Sequence, residues 1–442
     1  MNFTASIVPP TPDKSGHADA AMRILKRLLR NFRGSIALRL WNDAAHYIGH
    51  APPAFTLVVR DPAVLRKLVL NRSALVLADA YFRGLLDIEG DLYSVLRLKN
   101  YFQKLTLPLR ERSALLLDAL RLPRKPVTAI PSASSPAALL EGERFSHDHS
   151  KQSDRAAISF HYDVSNQFYK LWLDEQMVYS CAYFETPDST LEQAQRHKLD
   201  HICRKLRLKP GEHFLDIGCG WGALVCWAAQ HYGVKAHGIT LSQQQHDYAQ
   251  RRIAAAGLHD LVTVELRDYR ALQGEAVFDK AASVGMLEHV GLANLSVYNA
   301  TVHRILRPGG LFLNHGITHD KEGWHQNIDT EFINRYVFPD GELDTVSNIQ
   351  RGMEHAGFEI HDVEGLRPHY ALTLRHWVQR LEAAHDEALQ YVSETAYRVW
   401  RLYMAACAVE FEAGGTGVYQ ILASRRGATQ SALPLTRRDL YA

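Results

Sequence analysis

The chain has 442 residues, enough for two or three domains, and no apolar run reaches the roughly 18 residues that a membrane-spanning helix requires. Its 50 basic and 48 acidic residues nearly balance, but residues 1–125 contain 20 Lys and Arg against 10 Asp and Glu, which favours contact with an anionic surface. The five cysteines form no CxxC pair, so a disulfide framework is not expected. No signal peptide is visible, and we therefore expect a cytoplasmic protein.

The first predicted element is a basic amphipathic helix between Ala20 and Asn42. This segment lacks acidic residues, and its apolar side chains recur at helical spacing: Met22, Leu25, Leu29, Phe32 and Ile36. Such a helix can lie in the headgroup layer of an anionic membrane, or it can cover its own domain. With short strands predicted at 55–60 and 74–77, residues 1–121 are interpreted as a small α+β domain that binds lipid.

A second domain is predicted after a Pro- and Ser-rich linker at 122–156. Apolar strands alternate with amphipathic helices along residues 157–426, and a short tail, 427–442, follows. The predicted strands are 214–217, 234–241, 262–266, 278–286, 311–317 and, after a largely helical stretch, 417–424. Alternating strands and helices predict an α/β domain with a mostly parallel, doubly wound sheet.

A glycine-rich loop, LDIGCGWG at 215–222, follows the first of these strands. Gly218 and Gly220 let the backbone turn tightly and approach a ligand closely. Two features favour S-adenosylmethionine over a dinucleotide. Asp216 can meet the ammonium group of a methionine moiety, and Ala223 interrupts the G-x-G-x-x-G phosphate pattern.

Two further strand ends continue the pattern. In GITLSQQQ (238–245), Thr240 and Gln245 offer hydrogen bonds to a ribose. In LRDYRAL (266–272), Asp268 can accept a hydrogen bond from the adenine amino group. Three such loops in this order predict a site for S-adenosylmethionine.

The stretch SVGMLEHVG (283–291) sets a carboxylate and an imidazole side by side where a buried strand ends. In an open α/β sheet, ligands gather at the carboxyl ends of the strands. Glu288 and His289 are therefore candidates for the chemistry of the site, and a plain polar loop is the alternative.

Together these segments resemble the cyclopropane-fatty-acyl-phospholipid synthases, whose relatives include the mycolic acid cyclopropane synthases. The resemblance spans about residues 155–425, and a looser match to the family's small N-terminal domain lies at 78–92. It rests on FHYDVSNQFYKLWLDEQMVYSCAYF (160–184), LDIGCGWG, GITLSQQQ, SVGMLEHVG, FINRYVFPDGEL (332–343) and HYALTLRHW (369–377). It implies a Rossmann-like S-adenosylmethionine-dependent methyltransferase fold, with a mostly parallel seven-stranded sheet and a helical insertion that covers the substrate. This domain follows the small α+β domain along the chain.

The resemblance also implies a reaction, the transfer of a methylene group from S-adenosylmethionine to the double bond of an unsaturated acyl chain in membrane phospholipid. A carbocation forms, and a cyclopropane ring closes when a base removes a proton. Family members hold a bicarbonate ion as that base, and the matching positions here are Cys181, Glu288, His315, Tyr370 and the backbone of Ile317. Bicarbonate needs donors around it and can share a proton with a carboxylate such as Glu288.

Cofactor contacts and one further cysteine follow from the same resemblance. The positions that match family contacts are Tyr179, Ser180, Gly218, Gly220, Thr240, Leu241, Gln245 and Asp268; with Asp216 from the glycine-rich loop and Tyr269 beside Asp268, they make up the predicted cofactor residues. Cys407 matches a family position regarded as an active-site cysteine, although an Ala-flanked Cys in an apolar helix is more often a buried hydrophobe. Where many members have Thr between His and Ile, this chain has Gly316, and His289 is interpreted as structural.

Aromatic faces at Tyr162, Phe168, Tyr183 and Phe184 can stabilise a cation. Core packing is the alternative for all four residues, and it is favoured for Phe168 and Phe184.

Three other functions are considered: a methyltransferase that gives a methylene- or methyl-branched acyl chain, a methyltransferase that acts on the nitrogen of an amine, and a lipid-binding module without catalysis. The base residues argue against N-methylation. The expected partner is an anionic phospholipid membrane at its cytoplasmic face; a homodimer fits such an enzyme, and no nucleic acid is expected.

Overall fold

The structure, a computed structural model, describes residues 16–49, 51–71, 73–127, 165–324, 341–428 and 433–440. The chain divides into two compact units. Unit 1 comprises Met1–Gly142 and Ser393–Val409, and unit 2 comprises Glu143–Val392 and Glu410–Ala442. Most of the predicted linker lies outside the described residues, so the predicted domain boundaries stay predictions. No described helix is long and apolar enough to cross a membrane.

Unit 1 combines a small sheet with helices. Its elements before the linker are α1 (His17–Leu28), β1 (Ile36–Leu40), β2 (Ala45–Ile48), β3 (Phe55–Val59), α2 (Ala63–Asn71), α3 (Ala74–Phe82), β4 (Leu86–Gly90), α4 (Leu92–Gln103) and α5 (Leu109–Leu120). The four-stranded sheet has the order β2-β1-β3-β4, in which β1 and β3 are parallel and the outer pairs are antiparallel.

Two predicted elements of unit 1 are wrong in part or in whole. The helix predicted from Ala20 to Asn42 ends at Leu28, and residues 36–40 form the buried strand β1, because pairing with β2 and β3 overrides the helical spacing. The strand predicted at 74–77 is the start of α3, which Ser73 caps by accepting from the N–H of Leu75 at 3.2 Å. A four-residue apolar run does not distinguish a strand from a helix.

Helix α1 packs within unit 1, and its two arginines pair with α5. Its buried side chains are Ala20, Ala21, Met22, Ile24 and Leu25. Arg23 donates to the Asp118 carboxylate at 3.0 and 2.9 Å, and Arg27 bonds to the same carboxylate. Of the two interpretations of this helix, the structure therefore supports the domain-covering one.

Unit 2 contains the elements α6 (Asn166–Lys170), α7 (Leu191–Leu206), β5 (His213–Ile217), α8 (Ala223–Tyr232), β6 (Lys235–Thr240), α9 (Gln243–Ala255), β7 (Val262–Leu266), β8 (Phe278–Val284), α10 (Leu295–Ile305), β9 (Leu306–His319), α11 (Val346–His355), β10 (Phe358–Gly365), α12 (Arg367–Ala383), α13 (His385–Ala388) and β11 (Thr416–Arg425). Helix α14 (Glu394–Ala413) belongs to unit 1 as far as Val409. Apolar clusters cover both faces of the sheet of unit 2.

The sheet of unit 2 has seven strands in the order β10-β11-β9-β8-β5-β6-β7. Strands β5 to β9 pair in parallel, whereas β11 runs antiparallel to both β9 and β10. The mostly parallel seven-stranded α/β sheet predicted from the sequence is therefore confirmed. Strand β10 was missed, because its sequence FEIHDVEG carries polar residues in both phases of a strand.

The glycine-rich loop after β5 depends on backbone that other residues rarely adopt. Gly218, Gly220 and Gly222 have φ values of 81°, 54° and 82°. The N–H groups of Gly218 and Cys219 both donate to the carbonyl of Ile239, at 3.0 and 2.9 Å. The loop is thus tied to the end of β6, where the next predicted cofactor residues begin.

Replacing Asp118 with Ala removes the shared acceptor of Arg23, Arg27 and Arg121. Because this carboxylate is buried, we expect the free energy of unfolding of unit 1 to fall by about 1–3 kcal/mol. Glu89→Ala, which removes an exposed partner of Arg39, is the matched control and should cost about 0.5 kcal/mol or less. Urea denaturation followed by circular dichroism measures both, and equal losses would contradict the role of Asp118.

Candidate active site

One pocket lies at the carboxyl ends of strands β5 to β8. All ten residues predicted to contact the cofactor line it: Tyr179, Ser180, Asp216, Gly218, Gly220, Thr240, Leu241, Gln245, Asp268 and Tyr269. His289 lines it as well, next to Met286. The three loops therefore meet at one place, as expected of parallel strands whose ends share an edge.

Asp216 lies at the base of this pocket and is 2% exposed. Burial raises the pKa of its carboxyl group to about 7, and the nearby Lys198 ammonium opposes this rise. Among the described residues, Asp216 Oδ1 has no hydrogen-bond partner. A buried acceptor without a donor fits the ammonium group of a methionine moiety.

Two polar side chains at the end of β6 hold each other in place. Thr240 Oγ1 donates to Gln245 Oε1 at 2.7 Å, and Ser242 caps α9 by accepting from the backbone N–H of Gln245. With its carbonyl oxygen engaged, Gln245 keeps its amide N–H groups for a hydroxyl group in the pocket. This arrangement fits a ribose.

Asp268 is held more firmly than the sequence suggested. Arg270 donates to both of its oxygens, from Nε at 2.9 Å and from Nη2 at 2.6 Å, and the backbone N–H of Arg270 adds a bond at 2.8 Å. The guanidinium also lies 5.4 Å from the centre of the Tyr269 ring. Sequence analysis missed Arg270, and Asp268 can accept from an adenine amino group only with lone pairs that Arg270 does not use.

Lys198 is a second residue that sequence analysis missed. It lies on α7, is 2% exposed, and its ammonium group donates to Ser180 Oγ at 2.7 Å in the pocket wall. A signal was present in the sequence, because Lys198 occupies the same helical stripe as the buried residues Leu191, Gln195 and Ile202. A lysine in such a stripe is rarely buried without a reason.

Among the predicted base residues, Glu288 has a direct side-chain contact with the backbone of Ile317. Glu288 lies in a 3₁₀ turn, Leu287–His289, directly after β8, and its Oε1 accepts the backbone N–H of Ile317 at 2.6 Å. Oε2 has no partner among the described residues, and burial raises the pKa of the carboxyl group to about 7. Gly316 makes room for this turn, since a side chain there would meet Leu287 at 3.0 Å.

His315 and Cys181 are both buried and uncharged. Burial, with smaller contributions from Lys198 and Lys205, lowers the pKa of His315 to about 3. Gln420 Nε2 lies 3.2 Å from His315 Nδ1 and can donate to it when the ring proton is on Nε2, which has no partner among the described residues. Burial raises the pKa of Cys181 far above its ordinary value, so the thiol stays protonated.

Strand β11 links these residues. It pairs with β9 so that Gln420 faces His315 and Val418 faces Ile317. Val418 accepts the backbone N–H of Leu366 at 2.8 Å. The carbonyl of Leu366 in turn accepts the Tyr370 N–H at 3.1 Å and lies 3.8 Å from Cys181 Sγ.

Strand pairing and the Leu366 carbonyl thus connect His315, Ile317, Cys181 and the Tyr370 N–H, whereas the Tyr370 ring packs against Trp377 and Phe411. None of the five predicted base residues lines the described pocket wall. Chain neighbours connect the two regions, because Ser180 precedes Cys181 and His289 follows Glu288, and both of these neighbours line the pocket.

The remaining residues predicted to act in the site lie in different parts of the fold. Cys407 is half-buried on the part of α14 that belongs to unit 1, whereas the other predicted site residues belong to unit 2. Phe168 is fully buried against Tyr169 and Trp172, which is core packing. Tyr183 is stacked between two imidazoles, at 4.3 and 5.0 Å, and Phe184 stacks on a third at 5.5 Å. Tyr162 and most of 332–343 lie outside the described residues.

Replacing Glu288 with Gln keeps an acceptor for the Ile317 N–H and removes a buried charge. Because burial raises this pKa from 4.5 to about 7, the wild-type carboxylate destabilises the fold as the pH rises through this window. At about 1.4 kcal/mol per pKa unit, Glu288→Gln should gain up to about 3 kcal/mol at pH 8 and little at pH 4. Thermal unfolding at both pH values measures this.

Glu364→Gln is the matched control with the opposite sign. Burial raises the pKa of Glu364, but hydrogen bonds and charge from His201 and Lys205 outweigh it and lower that pKa to about 2. The wild-type carboxylate is therefore stabilising above its unfolded pKa of 4.5, and this variant should lose stability at pH 8. A loss in Glu288→Gln at pH 8 would contradict our account of the buried carboxylate.

Comparison with known proteins agrees with this geometry. Residues 149–421 match the family model described as mycolic acid cyclopropane synthetase, and residues 24–105 match a domain of unknown function, DUF7884. A probable fatty acid methyltransferase of Pseudomonas putida is 42% identical over 422 residues, covering 93% of this chain and 98% of the relative. The cyclopropane-fatty-acyl-phospholipid synthase of Escherichia coli (strain K12) is 35% identical over 390 residues, covering 88% and 93%.

Among solved structures, the mycolic acid cyclopropane synthase CmaA1 complexed with SAH and CTAB is 33% identical, with a TM-score of 0.58. The match covers 61% of this chain and 98% of that one. The resemblance seen in the sequence motifs is thus confirmed over most of the chain. The chain belongs to the mycolic acid cyclopropane synthetase family and is an S-adenosylmethionine-dependent methyltransferase.

Proposed function

We propose that this enzyme transfers a methylene group from S-adenosylmethionine to the double bond of unsaturated fatty acyl chains in membrane phospholipids. In this proposal a cyclopropane ring forms through a carbocation, which bound bicarbonate deprotonates. The observation that carries the proposal is that two buried atoms, Glu288 Oε2 and His315 Nε2, have no partner among the described residues. The other oxygen of Glu288 is bonded to the N–H of Ile317, two residues after His315 on β9. N-methylation of an amine produces no carbocation, so it does not require a bound base that removes a proton from one.

The donors and acceptors of the predicted base residues fit a bicarbonate ion. Glu288 Oε2 can accept a hydrogen bond from the bicarbonate hydroxyl group, and His315 Nε2–H can donate to one of the other oxygens. The thiol of Cys181 is protonated but donates to the Ala182 carbonyl at 3.3 Å, so it becomes a further donor only when it rotates toward the ion. Because His315 and Cys181 are neutral, they bind an anion without adding positive charge that would oppose a nearby carbocation.

When bound, S-adenosylmethionine supplies the methyl group and bicarbonate supplies the base that takes the proton. Glu288, with a pKa of about 7, is poised to share a proton near neutral pH and places negative charge near the developing cation. The Ile317 N–H fixes the orientation of its carboxylate. Burial of Cys181 and His315 keeps water away, and water would otherwise add to the carbocation.

A second candidate shares the cofactor and the carbocation but ends in a methylene- or methyl-branched chain. The Pseudomonas putida relative, which is named a probable fatty acid methyltransferase, favours it at 42% identity. The turn that carries Glu288 packs against Gly316, where many family members have Thr. A cyclopropane forms when the base removes a methyl proton directly. A methylene branch needs a hydride to shift from the methyl-bearing carbon to the cationic carbon before that proton leaves, and a methyl branch formed without a reductant keeps a chain double bond after a chain proton is lost.

Mass spectrometry of lipids distinguishes these candidates. The enzyme is incubated with vesicles of monounsaturated phospholipid and methyl-labelled S-adenosylmethionine. We expect a gain of one CH₂ with the double bond consumed, and fragmentation should place the new carbon in a ring. A retained alkene or a methyl branch would support the second candidate, and no gain would reject both.

Glu288→Gln tests the base site in the same assay. Because a positioned acid or base contributes about 10²–10⁴-fold to a rate, we expect turnover to fall by about 10²-fold or more. Calorimetric affinity for S-adenosylhomocysteine should change less than about twofold, since Glu288 makes no contact in the described pocket wall. Glu275→Gln, at an exposed position, is the control, and equal turnover in both variants would remove Glu288 from the mechanism.

We infer that α5 of unit 1 contacts the phospholipid membrane. One face of this helix presents Leu109, Leu116, Leu117 and Leu120, which are 78%, 45%, 59% and 52% exposed. Exposed cations lie along and just after the helix: Arg110, Arg112, Arg121 and Arg124. Leucines that enter the lipid and cations that meet anionic headgroups together support a peripheral attachment to the inner face of the membrane.

The variant Leu116→Ser/Leu120→Ser tests this surface. Because burying one Leu contributes about 1.5–3 kcal/mol, binding to vesicles that contain anionic lipid should weaken at least about tenfold in sedimentation assays. Val297→Ser on α10, where Val297 is 47% exposed, is the control and should bind like the wild type. Unchanged binding would overturn the inference, and conversion of a dimer to a monomer would assign this face to a homodimer.

A further inference from the structure

Lys198 is a buried cation in the wall of the cofactor pocket that the mechanism above does not use. Burial lowers the pKa of its ammonium group to about 8, and the carboxylates of Asp174 and Asp216 act in the opposite direction. A buried ammonium group costs free energy unless a counter-charge meets it. The Lys198 ammonium group therefore requires a nearby anion, which is either a side chain of the pocket or a ligand that binds in it.

The two nearby carboxylates do not fully meet this need. Asp174 accepts the backbone N–H groups of Val178 and Gln176, at 2.8 and 3.0 Å. Asp216 faces the pocket, and its Oδ1 has no partner in the part of the chain that the structure describes. Neither carboxylate forms an ion pair with Lys198 among these described residues.

Ser180 directs the charge of Lys198 toward the pocket. Because Lys198 Nζ donates to Ser180 Oγ at 2.7 Å, it occupies one acceptor lone pair of the hydroxyl group. The hydroxyl proton of Ser180 is then left to donate to another acceptor. A hydroxyl group polarised by an ammonium group is a strong donor to an anion, and Ser180 lines the pocket.

We propose that Lys198, acting through Ser180, recognises the α-carboxylate of the methionine moiety of S-adenosylmethionine, while Asp216 receives its α-ammonium group. The proposal rests on the dependence of this enzyme on S-adenosylmethionine and not on its lipid substrate. The two opposite charges of the pocket match the zwitterionic end of the cofactor. Lys198 is a positioning residue, since its charge reaches the cofactor through a serine hydroxyl group.

Decarboxylated S-adenosylmethionine isolates this interaction, because it keeps the adenosine, the sulfonium and the amine but lacks the carboxylate. Isothermal titration calorimetry measures the Kd of both ligands for the wild type and for Lys198→Met. The wild type should prefer S-adenosylmethionine by about 10–100-fold, as expected of one hydrogen bond to a charged group. Lys198→Met should weaken binding of S-adenosylmethionine, spare the decarboxylated ligand, and reduce this preference to within about threefold.

Lys280→Met is the matched control. Lys280 is also buried, at 6% exposure, but it lies on β8 and does not line the pocket. This variant should keep the wild-type ratio of the two dissociation constants, even if it unfolds at a lower temperature.

An unchanged ratio in Lys198→Met, including equal weakening of both ligands, would overturn the proposal and leave Lys198 a structural role. If Lys198→Met does not fold, Ser180→Ala removes the hydroxyl group and keeps the cation; the same reduction of the ratio is then expected, and its absence is equally decisive. Binding requires no acyl substrate, so an error in the proposed lipid reaction would not affect this result.

Discussion

The hydrogen bond from the Ile317 N–H to Glu288 Oε1, at 2.6 Å, is the interaction on which the candidate base site depends. It joins the turn after β8 to the neighbouring strand β9 and leaves Oε2 as a buried acceptor. The turn packs tightly on β9, since a Cβ at Gly316 would lie 3.0 Å from the Leu287 side chain. The Glu288 carbonyl also accepts the Glu342 N–H at 3.1 Å, so the backbone of the turn is held from a second side.

The same edge of the sheet collects ionisable groups whose burial favours their neutral forms. The pKa values of Asp216 and Glu288 are raised, and those of Lys198 and His315 are lowered. Each shift means that the fold alone leaves the charged form poorly solvated. A zwitterionic cofactor, and an anion that shares a proton with a carboxylate, are ligands that would relieve this condition. Sites arranged in this way trade stability for function.

Sequence patterns were sufficient where local and tertiary preferences agree. Strand β7 begins and ends where predicted, and the three glycine and polar loops meet because parallel strands align their carboxyl ends. Predictions failed where tertiary pairing decides, as at 36–40, or where a short apolar run suits either element, as at 74–77. The burial of Lys198 could be read from its place in the apolar stripe of α7, but its hydrogen bond to Ser180, 18 residues away, is not contained in any local pattern.

The N-terminal unit shows why an excess of basic residues along a sequence does not by itself locate a membrane surface. Arg23 and Arg27 of α1 pair with the carboxylates of Asp118 and Glu111 on α5, and the apolar face of α1 is buried. What distinguishes α5 is that an apolar face and basic residues are exposed on one element. Lipid binding requires both at once, because cations draw the protein to anionic headgroups and apolar side chains hold it there once salt screens the charges. The exposed leucines of α5, and not the basic spacing of α1, therefore carry the membrane proposal.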